Sequence, residues 1–455
     1  MWFDIIQLLT LKIEKVLPVT KYTQESFEFP ACKRRVVEAN FQGGDITSDG
    51  GVLLLRQADH HLGLTAAVAL ALADPRRRAS CLHDGLSLLR QRIYGLALGY
   101  EDLNDHGQLR QDLALQTAVE RDAVLASSST LCRWENRADR ETAWRLHEVL
   151  VAQFIASFKR PPKELVLDFD ATDDAVHGKQ QGRFFHGYYD HYCFLPLYVF
   201  CRDQLLVSYL RPSKIDGAKH AWAILALLVK RLRQRWPKVR IVFRGDSGFC
   251  RWRMLSWCER HAVGYIVGIA QNQRLNAMTR RLQQEAEDCF VALGTKVRWF
   301  TDLRYGARSW NRSRRVIAKI EHADKGGNPR YVVTNLDGDG QRLYEKLYCA
   351  RGEMENRIKE QQLDLFADRT SCHLWWPNQF RLLLSSLAYL LLEAIRRLAL
   401  PGTELARAQV GTLRLKLLKI GAVILRNTRR IRFLLSSACP YQRLFFHVAA
   451  RLAPG

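Results

Sequence analysis

No C-x-x-C pair occurs among the eleven cysteines of this 455-residue chain, which are odd in number and evenly spread. Neither a disulfide framework nor a structural zinc site is expected, and a reducing cytosol is. There is no Walker A loop, no H-E-x-x-H helix and no dinucleotide glycine fingerprint, so nucleotide-driven and zinc-hydrolase chemistries find no foothold. Long hydrophobic runs are missing too. The most apolar one, Leu382 to Leu400, carries Glu393, Arg396 and Arg397 and reads as a buried helix rather than a membrane span, so no membrane partner is expected. The opening MWFDIIQLLTLKIEKVL has Asp4 early and neither a basic leader nor a small-residue cleavage site. It reads as a short amphipathic helix or as a start placed too far upstream. Negative charge is the scarcest commodity: 46 Asp and Glu stand against 69 Lys and Arg, a net charge of +23. A polyanionic partner follows, and nucleic acid is the commonest.

What is present is a folded chain, 47% hydrophobic and 25% charged, long enough for two to four units. Residues 1–160 are mostly helical by apolar spacing, over Gly51 to Leu72, Ser87 to Tyr100 and Thr142 to Phe158. Within them Ser127-Ser128-Ser129-Thr130 followed by Leu131-Cys132-Arg133-Trp134 has the layout of a capped basic helix. Such a helix can be a recognition helix, with Arg133 as a DNA contact, or an ordinary member of a helical bundle.

Residues 161–272 alternate differently. Pro161-Pro162 ends the helices and Glu164 to Asp174, ELVLDFDATDD, places Leu165, Leu167 and Phe169 on one face of a strand and Val166, Asp168 and Asp170 on the other. Strands follow at Cys193 to Cys201 and Gln204 to Arg211, then a helix over Ala218 to Trp236, a strand at Val239 to Gly245 that delivers Asp246, a helix from Arg251 to His261 and a strand from Gly264 to Ala270. Three strands in a meander, helix, strand, helix, strand is the element order of an α/β ribonuclease H-like fold, in which the first and fourth strands lie side by side. That order brings Asp170 and Asp246 together.

Residues 273–345 read as an inserted β-rich subdomain. A basic helix leads into β-like runs over Lys296 to Leu303, Arg314 to Glu321 and Arg330 to Thr334. Arg312 and its neighbouring arginines interleave with Trp299 and Trp310, which suits a surface that holds phosphates and stacks bases, or else a solvated basic hairpin. Residues 346–400 return to helix. Over Glu345 to Leu365, Tyr348, Arg351, Glu355, Lys359 and Gln362 recur at three or four residues and share one face. Taken alone, such a stripe is an ordinary solvated salt-bridge face. Residues 401–455 read as a helical basic region with clustered arginines at 426, 429, 430 and 432.

The wording LDFDATDDAVHG, GRFFHGYYDHY, FRGDSGF, YCARGEMENRIKE and WPNQFRLLLSSLAY, in that order from about Ala39 to beyond Leu400, is similar to the IS1380 family of bacterial insertion-sequence transposases, within the IS4-like group of DDE transposases. The resemblance implies that Asp170, Asp246 and Glu355 are the catalytic, metal-binding acids and that Tyr348 and Arg351 contact DNA beside them. It also implies double-stranded DNA partners (terminal inverted repeats and target), a homodimer holding two element ends, and a cytoplasmic, nucleoid-associated setting. Related families place a Lys seven residues after the Glu, where this chain has Gln362, so Lys359 or Arg357 is expected to supply that charge.

The chemistry accounts for the residue types. Cleavage by water and attack by the freed 3′-hydroxyl are both in-line displacements at phosphorus, which two Mg2+ ions roughly 4 Å apart stabilise at the entering and leaving oxygens. Mg2+, with Mn2+ as its substitute, takes hard oxygen ligands, so carboxylates serve where thiols do not. Asp168 is the chief rival of Asp170; Asp173 and Asp174 read as turn residues. Glu353 lies roughly 160° around the helix from Glu355, at about 100° per residue. His177, His186 and Tyr188 fall in a loop with packing or DNA-positioning roles. A structure-specific nuclease of the same fold and a catalytically silent DNA-binding repressor are the alternatives.

Overall fold

The computed structural model describes residues 26–72 and 74–453, so the amphipathic helix expected at the extreme N-terminus lies outside the described residues. Four of the helices that open the described chain matter here: α1 (Val52–Leu62), α2 (Gly85–Leu98), α3 (Ser128–Glu135) and α4 (Arg140–Ala156). Three start where a side chain can accept a first-turn N–H: Asp84 caps α2, Ser127 caps α3 and Asp139 caps α4. The helix expected over Gly51 to Leu72 is two helices, because Gly63 takes φ 61° and turns the chain between them.

A mixed sheet follows. Its main strands are β1 (Glu164–Ala171), β2 (Leu197–Cys201), β3 (Gln204–Tyr209), β4 (Arg240–Gly245), β5 (Gly264–Ile269), β6 (Val297–Tyr305), β7 (Arg314–Ala323) and β8 (Arg330–Thr334), with the two-residue strand Gly326–Gly327 paired to β7 as a ninth. Helices α5 (Ala221–Arg235), α6 (Trp252–Arg260) and α7 (Gln273–Leu293) lie between strands, and α8 (Gly352–Lys359) and α9 (Trp375–Ala399) come after them. The spatial order is β6-β7-β8-β5-β4-β1-β2-β3. β4 runs parallel to both β1 and β5, and every other neighbouring pair along this order is antiparallel. The first and fourth strands are therefore neighbours, as the element order predicts.

Burial explains the layering. Leu165, Leu167 and Phe169 join Phe243, Tyr265 and the helices α5 and α6 in a core on one face of the sheet. The other face is covered in two parts. Tyr198, Phe200 and Leu205 pack into the helical core built on α1, α2, α4 and α9. Val166, Val242, Ile266 and Val332 are roofed by Leu343, Tyr344, Leu347 and Tyr348. Helix α9 has twenty buried residues out of twenty-five, which confirms that its apolar run is core. No helix among the described residues is long and apolar enough to cross a membrane.

Three expectations about organisation need correction. The β-rich stretch of 273–345 is no separate subdomain: β8 pairs with β5 from Ile266 opposite Thr334 to Ile269 opposite Tyr331, and β7 and β6 continue the same sheet. An apolar edge strand with unpaired backbone groups is a ready template for further strands. The divisions at 160 and 346 do not separate units, because α1, α2 and α4 share one core with α9. Residues 401–455 are not all helical, since Ala422–Arg426 and Ile431–Leu435 form a β-hairpin that pairs with Ile46–Thr47.

Candidate active site

The site forms where parallel strands end, the usual place for function in an open α/β sheet. Phe169 is level with Gly245 in the β1/β4 register, so Asp170 and Asp246 leave the two strands side by side. Asp246 then caps a single turn over Ser247–Phe249, its Oδ1 accepting the Gly248 N–H at 2.8 Å. The third wall is the helical run from Gly340 to Asp364. Sequence spacing predicts one regular helix there, but the run is pieced together: α-helical at Gly340–Arg342, π-wound at Leu343–Tyr348, 3₁₀ at Cys349–Arg351, then α8, then π-wound again at Glu360–Asp364. Local π-winding is rare and recurs at functional sites.

Across this gap Arg351 links the acids. Its Nη2 donates to Glu355 Oε1 at 2.7 Å and its Nη1 reaches Asp170 Oδ2 at 3.4 Å. Asp170 has its pKa pushed up to about 7, chiefly by burial, with Arg351 pulling it down and the charges of Asp246 and Glu355 pushing it up. Burial works against the Arg351 charge, but Asp170 and Glu355 beside it hold its pKa above the ordinary value. Tyr348 stands at the same place. A methyl group on Gly268 would lie 2.6 Å from the Tyr348 hydroxyl oxygen and 2.9 Å from the Ser247 nitrogen, so only glycine there admits the phenol beside Asp246. Burial raises the Tyr348 pKa, with Arg351 opposing and Asp246 adding to it.

The rival first acid has a different task. Asp168 is 2% exposed and held by Arg244 of β4 through both oxygens, Nη2 donating to Oδ2 at 2.6 Å. Arg244 Nη1 also donates to the Leu347 carbonyl, so this guanidinium ties β1 and β4 to the π-wound turn that carries Tyr348. Sequence reasoning passed over Arg244, although it lies inside FRGDSGF, two residues before Asp246. Glu353 is exposed and makes no bond to Arg351; Glu355 does.

Other expected contacts fare unevenly. Lys359 is exposed, but Arg357 is bound to Glu360 at 2.6 Å and Asp203 at 3.0 Å, so its charge is already answered away from the site. Gln362 donates to the Asp173 carbonyl and to Asp174 Oδ1, both at 2.9 Å. Asp174 is thus no surface turn residue: it is fully buried, and burial raises its pKa well above the usual range. Asp173 meets His191 at 2.8 Å. In the stretch before β2, expected as a loop but folded into a small three-stranded sheet of Asp174–Ala175, Phe184–His186 and His191–Phe194, Tyr188 and His177 are exposed. It is Tyr189 that feels the site, its pKa pushed up to about 12 by burial and by Asp173 and Asp170.

On the sheet extension the aromatic residues are partly engaged by the fold itself. Trp299 and Trp310 are partly buried against the core, and Trp310 packs edge-on against Tyr305 and under Arg314. Arg312 is exposed but sits 2.7 Å from Glu259. Arg133 lies on the exposed face of α3, whose other side buries Leu131 and Glu135.

The donor set Asp170, Asp246 and Glu355 consists of hard carboxylate oxygens suited to Mg2+. Among the described residues, however, no three acidic, histidine or cysteine side chains are gathered tightly enough to hold a metal ion. The convergence is therefore looser than the predicted shared metal site, and the guanidinium of Arg351 stands between two of the acids. A cation already lies where carboxylates need one, which fits the group while requiring Arg351 to give way to it.

A family described as "Transposase DDE domain group 1" matches residues 29–454. No curated protein matches the chain. Among solved structures, the chain is similar to the piggyBac transposase in a synaptic complex with hairpin DNA, at 11% identity and a TM-score of 0.40, covering 90% of this chain and 86% of that one.

Proposed function

Because the chain belongs to the transposase DDE domain group 1 family and is a DNA transposase, we propose that Asp170, Asp246 and Glu355 are its catalytic acids and that it cuts and joins DNA with Mg2+. The strand order β3-β2-β1-β4-β5 supports a ribonuclease H-like core. The finer kinship with IS1380 elements, and with it the recognition of terminal inverted repeats by a homodimer, belongs to the same proposal. The observation that carries it is the meeting of two strand tips and one helix around Arg351, where Asp170 is left short of compensating charge.

Divalent cations bound between these acids would stabilise the entering and leaving oxygens of an in-line displacement at phosphorus. The chain's own residues do the positioning. Asp170 and Asp246 are held at fixed spacing by the β1/β4 register, and Asp246 is oriented further by the Gly248 N–H. Arg351, released from Asp170 and Glu355, presents a planar fork of donors to a phosphate. The Tyr348 hydroxyl, lodged over Gly268, would donate to a second phosphate oxygen beside Asp246. Lys359 and Arg133 are exposed and add to the DNA surface, whereas Arg357 is withdrawn from it.

The test is cleavage of a duplex carrying the inverted repeats that flank the gene. Wild type in Mg2+ or Mn2+ is expected to cut at the repeat ends and yield strand-transfer products. Asp170→Asn, Asp246→Asn and Glu355→Gln are each expected to bind the duplex and leave it intact. Full cleavage by any of these variants removes that residue from the site. Cleavage without joining by wild type would make the protein a nuclease of this fold instead.

A further inference from the structure

The hairpin of Ala422–Arg426 and Ile431–Leu435 is where the sequence leads to helix and the structure shows a ribbon. Its base is fixed: Ala422 and Ile424 are buried, Phe433 and Leu435 pack on the helical core, and the Ile424 N–H donates to the Asp45 carbonyl at 2.8 Å. From Leu425 to Arg432 every residue is exposed. At about 3.4 Å per residue the turn stands roughly 10 Å beyond Ile424. The turn is also ordered. Asn427 and Arg430 close it through the Asn427 N–H and the Arg430 carbonyl at 3.0 Å, and Asn427 Oδ1 accepts the N–H groups of Arg429 and Arg430 at 2.9 and 2.8 Å.

This turn carries Arg426, Arg429, Arg430 and Arg432. Among the described residues, Arg429, Arg430 and Arg432 make no ion pair with an acid, and Arg426 approaches only Asp122, at 4.0 Å. On the sheet extension several arginines are answered: Arg298, Arg312, Arg314 and Arg315 each have an acidic partner within 3.2 Å, while the separated Arg304 and Arg308 make no ion pair among the described residues. A second copy of the chain, at +23, is a poor source of the missing negative charge.

We infer that this ribbon is a duplex-DNA grip, seated in a major groove with its arginines on the flanking phosphates. A two-stranded β-ribbon fits the major groove of B-form DNA, about 12 Å wide, and is excluded from the narrow major groove of A-form RNA. The inference rests on the transposase reading but concerns binding alone, separately from the acids.

The experiment measures the affinity of the full chain for a duplex DNA of about 30 base pairs across a KCl series. The forms compared are wild type, the triple variant Arg429→Gln, Arg430→Gln, Arg432→Gln, and the triple Lys variant at the same positions. The Gln variant is expected to bind about tenfold or more weakly, with a salt dependence shallower by two to three phosphate contacts at roughly 0.9 per contact. Its thermal melt should be unchanged, it should still cleave at low salt, and the Lys variant should restore most of the salt dependence. Unchanged affinity and slope in the Gln variant overturn the ribbon assignment while leaving the acids untouched. So does a change in oligomeric state without a change in slope, which would make the ribbon a chain-to-chain contact. Duplex RNA bound as tightly as DNA, with the same loss on substitution, overturns the groove assignment. A wild-type chain that binds no duplex DNA overturns the transposition mechanism itself, and the ribbon's role with it.

Discussion

Two carboxylates on one face of β1 have opposite fates, and the contrast separates the floor of the site from its mouth. Asp168, on the floor, is buried and answered in full by Arg244. Asp170, one pleat further at the mouth, is partly buried and receives only a 3.4 Å contact from an arginine it shares with Glu355. Burial raises both pKa values. What distinguishes them is the supply of positive charge. The floor holds its own cation as part of the fold, and the mouth is left to recruit one.

The contrast can be broken from several directions. The largest expected effect is catalytic: Asp170→Asn should lower strand cleavage by at least about a thousandfold if the acid supports transition-state charge, worth several kcal/mol. Gel analysis of end-labelled duplex reads this. Next comes the floor. Arg244→Met leaves Asp168 buried and uncompensated and should cost about 3–5 kcal/mol in denaturant unfolding, whereas adding Asp168→Leu to it should recover much of that loss. If the single variant is as stable as wild type, the buried pair is not a structural tie.

A smaller effect, opposite in sign, is expected at the mouth. In the folded chain without divalent metal Asp170 holds its proton up to about pH 7, and in the unfolded chain only to about pH 4. The folded state therefore binds more protons across that window, and stability falls as pH rises through it. Asp170→Asn removes this loss, so its melting temperature should exceed that of wild type at pH 8 and converge with it near pH 4. The smallest effect belongs to Gln362→Ala, which gives up the bonds to Asp173 and Asp174 and should cost about 1–3 kcal/mol because Asp174 stays buried.

The floor was legible in part and the mouth more so. Alternation along Leu165, Leu167 and Phe169 announced β1 and its two faces, and the element order placed β1 beside β4, because period-two burial and chain succession are both local signals. Arg244 was missed because a salt bridge between residues 76 apart leaves no periodic trace. The helical wall was recognised, but its π-wound turns were not, since winding is set by what the turns pack against. The sheet extension is hard to read for a related reason. Arginine and tryptophan alternate there as they would on a base-stacking surface, but whether Trp310 meets DNA or Tyr305 depends on register with distant strands. The C-terminal hairpin was read as helix because its strands are five residues each, too short to establish a period.

The most direct test of the contrast is calorimetric titration of Mg2+ into the full chain bound to an end duplex, with cleavage followed in the same samples. Wild type and Glu353→Gln should take up the ion and cut, while Asp170→Asn and Glu355→Gln should do neither. Binding and cutting by Asp170→Asn at the wild-type level would contradict the claim that the tip of β1 recruits the missing cation.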